Sequence, residues 1–567
     1  MMIRPRCFLF RLTAVLGLMS CAAPPASQGK TLALANSSVV TPVPAADSTK
    51  IVAAAPALPT AVPTSQPTPS PTIALPTLTN PPDAALEQTA ANFGAAFVPL
   101  AAANTGIWQY AADHFIHPIA LEIGAETAFL LDGGRVLRLD LAAPEPPQVL
   151  LAPGMDVAGV RVLEPLDLAL SGDTLLVLDR AGDVYGYDLL SGTWFLDRDD
   201  RPVRDTSGLY FVALAGMGNG RYLLETNYKY TMRYAAGEPD QLWTLPETRA
   251  VDVSASEAGV YVLLRAMDDL TGQLNRYQET RLLASFRPQV EIVQPRQVVA
   301  TDTAVYVLDM AGRRLLMLDG VDGRLLTLYQ LPQDDPVSVF AVTEAGQIVL
   351  AGRDRLYFYQ QPDRLTAVAG GAPLVGPQPH DPAVLAQLPA LLVPIQGSGI
   401  TRRDFQLPGA PRHYRLGIHQ GVDFYWQPGT LVRAAADGVV VRSMVDFVPQ
   451  TAAQYAAWRA ELQQLGYTSE AALDVYRGRQ VWIQHASGWI TRYVHLSRIE
   501  PGIVEGTAVT QGQLLGAVGN SGSPLSLQSA EADAHLHFEL WLGEHYLGQY
   551  LRPIETRELV ESLLGGQ

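Results

Sequence analysis

The histidines are where this sequence could do chemistry. Seven of the ten lie at or after His413, within the last quarter of the 567-residue chain. The first ordered motif is His419-Gln420-Gly421-Val422-Asp423-Phe424. His419 and Asp423 are four apart, and in an extended segment even offsets share a face, so both side chains could hold one metal ion. Gly421 suits a place where the backbone bends or passes close to a neighbour. The second motif is Ala534-His535-Leu536-His537-Phe538-Glu539-Leu540. Its histidines alternate on one face, while Leu536 and Phe538 point the other way, toward a core. The third, Thr491-Arg492-Tyr493-Val494-His495-Leu496-Ser497, follows a strand-like Gln480–His485 segment and an Ala486-Ser487-Gly488 turn. The two cysteines, Cys7 and Cys21, both lie in the leader. A metal site in the rest of the chain must therefore use histidines and carboxylates, and no disulfide framework is possible there.

The elements that carry these motifs read as β-rich, over residues 391–556. One stretch breaks the pattern, at about residues 447–478. Thr451 and Gln454 form a capping box, and Tyr455, Trp458, Leu462 and Leu465 fall on one helical face. Gly466 stops that helix and Thr468-Ser469 restart another, which predicts two short helices.

In order along the chain stand His419-x-x-x-Asp423, Ala434-Ala435-Ala436-Asp437-Gly438-Val439-Val440 and Tyr493-Val494-His495-Leu496. Val509-x-x-Gly512-Gln513-x-x-Gly516-x-Val518-Gly519 and His535-Leu536-His537-Phe538-Glu539 follow. On these residues the segment from about Leu391 to Pro553 resembles the lysostaphin/LytM-type zinc endopeptidases that cut peptidoglycan cross-links. The resemblance implies one Zn2+ per chain, held by His419, Asp423 and His537, with His495 and His535 as the catalytic histidines. Which of the two is the general base stays open. Three protein ligands would leave the open position that a catalytic zinc requires. An H-E-x-x-H helix is absent, so Glu539 reads as a supporting residue rather than a base. His485 reads as structural, His413 and His545 as surface residues, and Asp437 as a turn residue. Two departures from the family pattern are the helical insertion and the long Ser521–Asp533 segment before His535. Both are expected to edge the substrate groove.

Ahead of this domain, residues 105–365 carry a weak repeat. Thr127-Ala128-Phe129-Leu130-Leu131-Asp132 is followed by Arg135–Asp140, Thr174–Asp179 by Asp183–Asp188, and Ala304–Asp309 by Arg314–Asp319. Looser copies begin near Arg221, Val260 and Gln347. Each copy reads as a hairpin, and a spacing of roughly 40–47 residues is the period of propeller blades. Six copies predict a six-bladed β-propeller, with a β-sandwich pair as the alternative. His114 and His117 are isolated in the sequence and read as structural or solvent-exposed. A ligand or protein bound on the propeller is an expectation from fold analogy alone. Residues 366–390 read as a linker and 557–567 as a C-terminal tail.

At the other end, Arg4, Arg6 and Arg11 precede a short apolar run that closes Leu18-Met19-Ser20-Cys21. This resembles the lipobox of bacterial lipoproteins, with residues 1–21 as signal peptide and Cys21 lipidated. Thirteen of the 42 prolines fall between Pro24 and Pro82 with no aromatic residue among them, so residues 22–90 read as a disordered tether. The formal net charge of -16 argues against nucleic-acid binding.

The fold class expected is mainly β, a propeller followed by a β-rich peptidase domain with a small helical insertion. The function expected is zinc-dependent hydrolysis of peptidoglycan peptide bonds by an extracytoplasmic, membrane-anchored lipoprotein. The alternatives are a non-catalytic wall-binding activator of other hydrolases and a peptidase of secreted proteins.

Overall fold

Runs such as Val305-Tyr306-Val307-Leu308 and Leu175-Leu176-Val177-Leu178 are apolar on both faces, and every one of these side chains is buried. Strands of this kind need a sheet packed on both sides, which a propeller supplies. A computed structural model describes residues 83–100, 105–109, 115–141, 146–200, 208–267, 271–286, 288, 290–332, 337–352, 355–359, 365–367 and 382–565. The signal, Cys21, most of the tether and His114 lie outside these residues.

Six antiparallel sheets follow one another over residues 118–151, 165–198, 211–244, 249–286, 295–330 and 339–359. Their first strands neighbour one another in a closed ring. The ring is a six-bladed propeller, and all six hairpins expected from the repeat are present. The chain closes the last blade with an early strand, Thr105–Gln109, which pairs antiparallel with Arg355–Tyr359.

The aspartate that ends the repeat has a structural use. The carboxylate of Asp132 accepts from the backbone N–H groups of Ile116 and His117, and Asp179 does the same for Leu163 and Glu164. Asp309 takes Val293 and Gln294, while Glu225 takes Tyr210. All four are fully buried, and these bonds satisfy charges that burial would otherwise make costly. Arg265 and Ala351 occupy the same register in the other two blades.

The tether expected over 22–90 ends early. Asp83–Asn92 is a helix, α1, because Leu86 and Ala90 recur on one face and bury against the blades. The next strand, Ala96–Pro99, adds in parallel to the fifth blade.

The C-terminal domain is built on an antiparallel sheet. Its order is Gly421–Tyr425, His535–Leu542, Ile490–Val494, Val481–Gln484, Gly438–Ser443 and Ala508–Val509, with His545–Tyr546 paired to His535–Leu542. A second, three-stranded sheet combines Leu431–Arg433, Leu514–Ala517 and Arg498–Ile499. Val422, Phe424, Tyr493, Leu536 and Phe538 fill the core between them. The helical insertion forms as its sequence predicts. Helix α2, Ala452–Leu465, starts at the Thr451/Gln454 capping box and stops at Gly466 in the left-handed conformation. Helix α3, Glu470–Arg477, starts at Ser469.

The tail expected over 557–567 is instead mostly helix. Helix α4, Pro553–Leu564, bridges the two domains. Ile554 belongs to a propeller core, while Val560 and Leu564 belong to the core of the C-terminal domain. Two of its glutamates, which look like part of a solvated face, instead pair with the propeller, while its arginine, Arg557, pairs with Asp404 and Glu561. Glu555 meets His117 at 2.9 Å, and Glu558 meets Arg265 at 3.1 Å and Arg296 at 2.8 Å. Arg552, just before the helix, enters the propeller's centre and donates to the carbonyls of Ile119 and Arg296.

Candidate active site

Asp423 and His537 sit directly opposite each other on paired strands, and Tyr425 sits opposite His535. Val494, just before His495, pairs with His537 on that strand's other edge. Three neighbouring strands thus bring the motif residues together. Gly421 permits the approach. A side chain there would meet the Phe538 carbonyl oxygen at 2.5 Å and the His537 ring at 2.9 Å.

The outward-facing ring nitrogens settle the tautomers, because carbonyl and carboxylate oxygens only accept. His419 Nδ1 donates to the Leu407 carbonyl at 2.8 Å, leaving Nε2 as a lone pair. His537 Nε2 donates to Glu539 Oε1 at 3.0 Å, leaving Nδ1. These two nitrogens and Asp423 Oδ1 then lie 2.8–2.9 Å from one another. Three electron-rich atoms at such distances repel unless a cation or a proton sits among them. His419, Asp423 and His537 are a buried group able to hold a metal ion, and the donor set fits one. The second oxygen of Asp423 is held by Arg412 Nη2 at 2.8 Å.

The remaining two histidines stand beside this group. His495 Nδ1 donates to the Ser521 carbonyl at 2.8 Å, and His535 Nδ1 donates to the Asp533 carbonyl at 2.6 Å. Each keeps Nε2 as an acceptor. Their rings are 4.7 Å apart, and Tyr425 stacks on His535 at 4.8 Å. His495 and Asp533 both adopt positive φ, 64° and 56°. Such strain costs about 1–2 kcal/mol per residue and persists here because neighbouring bonds fix it. The His495 backbone N–H bonds to the Arg477 carbonyl at the end of α3.

Electrostatics separates the group. Burial, with the nearby Arg412 charge, lowers His419 to about 3. Burial and the neighbouring His535 and His537 hold His495 well below its ordinary range, so it is neutral at pH 7. Burial alone would lower His537 and raise Asp423. Hydrogen bonds to Asp423 and Glu539 instead raise His537, while the adjacent histidines hold Asp423 well down. In the metal-free protein a proton therefore competes for His537 Nδ1.

A cavity of ≈ 540 Å³ opens over these residues. Leu473, Tyr476 and Arg477 from α3 and Ser523, Pro524 and Leu525 line it, so both expected insertions edge the site. Asn227 of the third blade also lines it. No motif marks Arg412, Tyr425 or Asn227, because only the fold brings them here. Glu539 is buried among Arg477, Arg492 and Trp541, as a supporting residue would be.

The other histidines lie elsewhere. His485 is buried between the Asp437 carbonyl and the Thr491 hydroxyl, which fits a structural role. His413, expected on the surface, is 5% exposed and bonds the Leu209 carbonyl of the propeller. Domain docking buries it, which local sequence cannot reveal. His545 is half-buried and bonds Gln549.

Residues 417–549 match the family described as Peptidase family M23, so the chain carries a domain of this family. Peptidoglycan DD-endopeptidase ShyA of Vibrio cholerae serotype O1 is 32% identical over 126 residues, covering 22% of this chain and 21% of that protein. Peptidoglycan DD-endopeptidase ShyC of the same organism is 28% identical over 125 residues, covering 22% and 20%. The chain thus spans about one fifth of the length of these curated relatives. Among solved structures, a streptogramin B lyase aligns with a TM-score of 0.33 at 9% identity, over 47% of this chain and 92% of its own. Virginiamycin B lyase from Staphylococcus aureus aligns with a TM-score of 0.32 at 9% identity, over 45% and 98%.

Proposed function

We propose that this chain, through its Peptidase family M23 domain, is a zinc-dependent endopeptidase that hydrolyses peptide bonds in peptidoglycan stem peptides or cross-bridges. The observation that carries the reading is the convergence of His419 Nε2, Asp423 Oδ1 and His537 Nδ1 beside two histidines whose Nε2 atoms can accept. The named relatives, both peptidoglycan endopeptidases, supply the substrate class.

His419, Asp423 and His537 would hold the ion, and zinc in such a set lowers the pKa of water and polarises a carbonyl. The protein's own residues supply the rest. His495, held neutral by burial, and His535 both line the cavity with Nε2 free to accept, so one can take a proton from the attacking water. The protonated ring can then donate to the leaving amine or to the developing oxyanion. Arg412 holds Asp423 through Oδ2, leaving Oδ1 to the group it would share with His419 and His537. Glu539 fixes the His537 tautomer. The cavity walls from the two insertions hold the peptide.

We place the enzyme outside the cytoplasm, anchored through lipid on Cys21 and reaching the wall by its tether. The Leu18–Cys21 pattern and the wall-acting relatives support this. The propeller remains a platform for a further ligand or protein.

The test is digestion of purified sacculi by the zinc-loaded full chain, followed by mass spectrometry of the fragments. New amines should form with the wild type and not with Asp423→Ala. A wild type that binds zinc yet releases no amine from any wall sinks the enzyme reading. In a bacterial host, Cys21→Ser should move the protein out of the membrane fraction; unchanged membrane association would refute the anchor.

A further inference from the structure

Four arginines line the cavity, and their charges are not equally answered. Arg412 is paired with Asp423 at 2.8 Å, and Arg477 with Glu539 at 2.8 Å. Arg415 is 6% exposed, yet its guanidinium meets only neutral oxygens, the Ile418 carbonyl at 2.8 Å, the Thr468 hydroxyl at 3.4 Å and the Tyr414 hydroxyl. Among the described residues it has no carboxylate partner. Arg403, exposed at the rim of the same cavity, has none either. A buried guanidinium is rarely left without a counter-charge, because desolvation is not repaid by neutral acceptors alone. Burial and the repulsion of Arg412 and Arg477 push its pKa down. The free cavity therefore carries an unanswered positive charge in a low-dielectric wall.

Resting on the peptidase reading, we infer that Arg415, assisted by Arg403, is an anion subsite that takes a carboxylate of the substrate peptide. The scissile amide lies at the His419, Asp423 and His537 end of the cavity, and the carboxylate answers the arginines. A planar fork suits a carboxylate in a two-pronged bond. Tyr414 and Tyr476, with ring centres 5.9 Å apart and nearly perpendicular, supply an apolar wall beside it. The subsite depends on the helical insertion, since the turn between α2 and α3 provides Thr468. The Thr468 hydroxyl bonds the Arg415 carbonyl, so the turn grips both ends of the residue. The substrate class is thus an acidic stem peptide with a free carboxylate near the cut bond, rather than a neutral glycine bridge.

The test uses the zinc-loaded full chain and two synthetic cross-linked peptides that differ only in having free carboxylates or carboxamides. Wild type should cleave the acid form with a kcat/KM higher by about tenfold or more, the range of one charge-assisted bond. Arg403→Gln, a surface change that leaves the fold intact, should narrow that ratio through KM. Arg415→Lys keeps the charge without the fork and should narrow it further. Wild-type rates within twofold for the two peptides overturn the subsite and leave the peptidase reading standing. A large ratio unchanged in both variants overturns the assignment to these arginines. Cleavage of neither peptide, while zinc is bound, defeats the peptidase reading itself and the subsite with it.

Discussion

Glu539 Oε1 lies 3.0 Å from His537 Nε2 and 2.8 Å from Arg477 Nε. One carboxylate oxygen thus joins an imidazole of the candidate metal group to the end of the helical insertion. The bond forces His537 to present Nδ1 to its partners and stiffens the ring.

Glu539→Gln should therefore weaken metal binding by about 10- to 100-fold, the range seen when such outer partners are lost. Competition against a chelator of known affinity measures it. A variant that folds with unchanged zinc affinity would show that Glu539 does not orient His537.

The five site residues should divide by what their loss removes. His419→Ala takes away a ligand atom, so both zinc content and cleavage should fall. His495→Ala leaves His419 Nε2, Asp423 Oδ1 and His537 Nδ1 in place, so zinc should remain. Its cleavage rate should drop by about 10²- to 10⁴-fold, the usual contribution of a positioned acid or base. Elemental analysis beside the cleavage assay separates the two. If His495→Ala also loses its zinc, His495 belongs to the metal set rather than beside it.

Much of this site was legible in the sequence because strand alternation is a local rule. His535 and His537 share a face whatever surrounds them, and Gly421 marks a close approach before the neighbour is known. The insertion was legible for the same reason, since Thr451, Gln454 and Gly466 act within one turn of their own helix. The propeller came from repetition, each blade restating one hairpin. What stayed hidden depends on contacts between distant segments. His413 looks like a surface residue until the Leu209 carbonyl, 204 residues away, covers it. Helix α4 looks like a charged tail until Arg265 and Arg296 answer Glu558. Arg412 carries no motif, and its role appears only once Asp423 is beside it.

Arg552 should hold the two domains together. Its side chain reaches two backbone carbonyls in the propeller's centre, with Asp167 at 3.8 Å and Asp252 at 3.7 Å. Arg552→Ala removes the positive charge from between two buried carboxylates. Breaking such an arrangement costs about 3–5 kcal/mol, read by chemical denaturation at neutral pH. The variant should also become sensitive to proteolysis around Arg552. An unchanged denaturation midpoint would show that the other contacts between the domains, those of Ile554, Glu555 and Glu558 among them, suffice without it.

Glu122 should make the propeller's stability fall as pH rises. It lines the same central channel as Asp167 and Asp252. Burial, then the charge of Asp167, pushes its pKa up to about 8, against the pull of the Leu170 backbone N–H. The folded state therefore binds this proton more tightly than the unfolded chain does. Its contribution to stability is complete below the ordinary glutamate value of about 4.3 and is lost as pH climbs to about 8. Asp404 and Glu555 act in the opposite sense. Burial would raise both, but Arg557 and Arg249 around Asp404, and His117 and Arg296 around Glu555, hold them below the usual range. Their contribution is lost only as pH falls below about 4. Stability should thus peak in mildly acid solution, between the two losses. Glu122→Gln cannot titrate, so its melting temperature should match the wild type near pH ~4 and exceed it near pH ~8. Thermal melts across that range decide the matter. A constant difference between variant and wild type would show that Glu122 does not change its charge there.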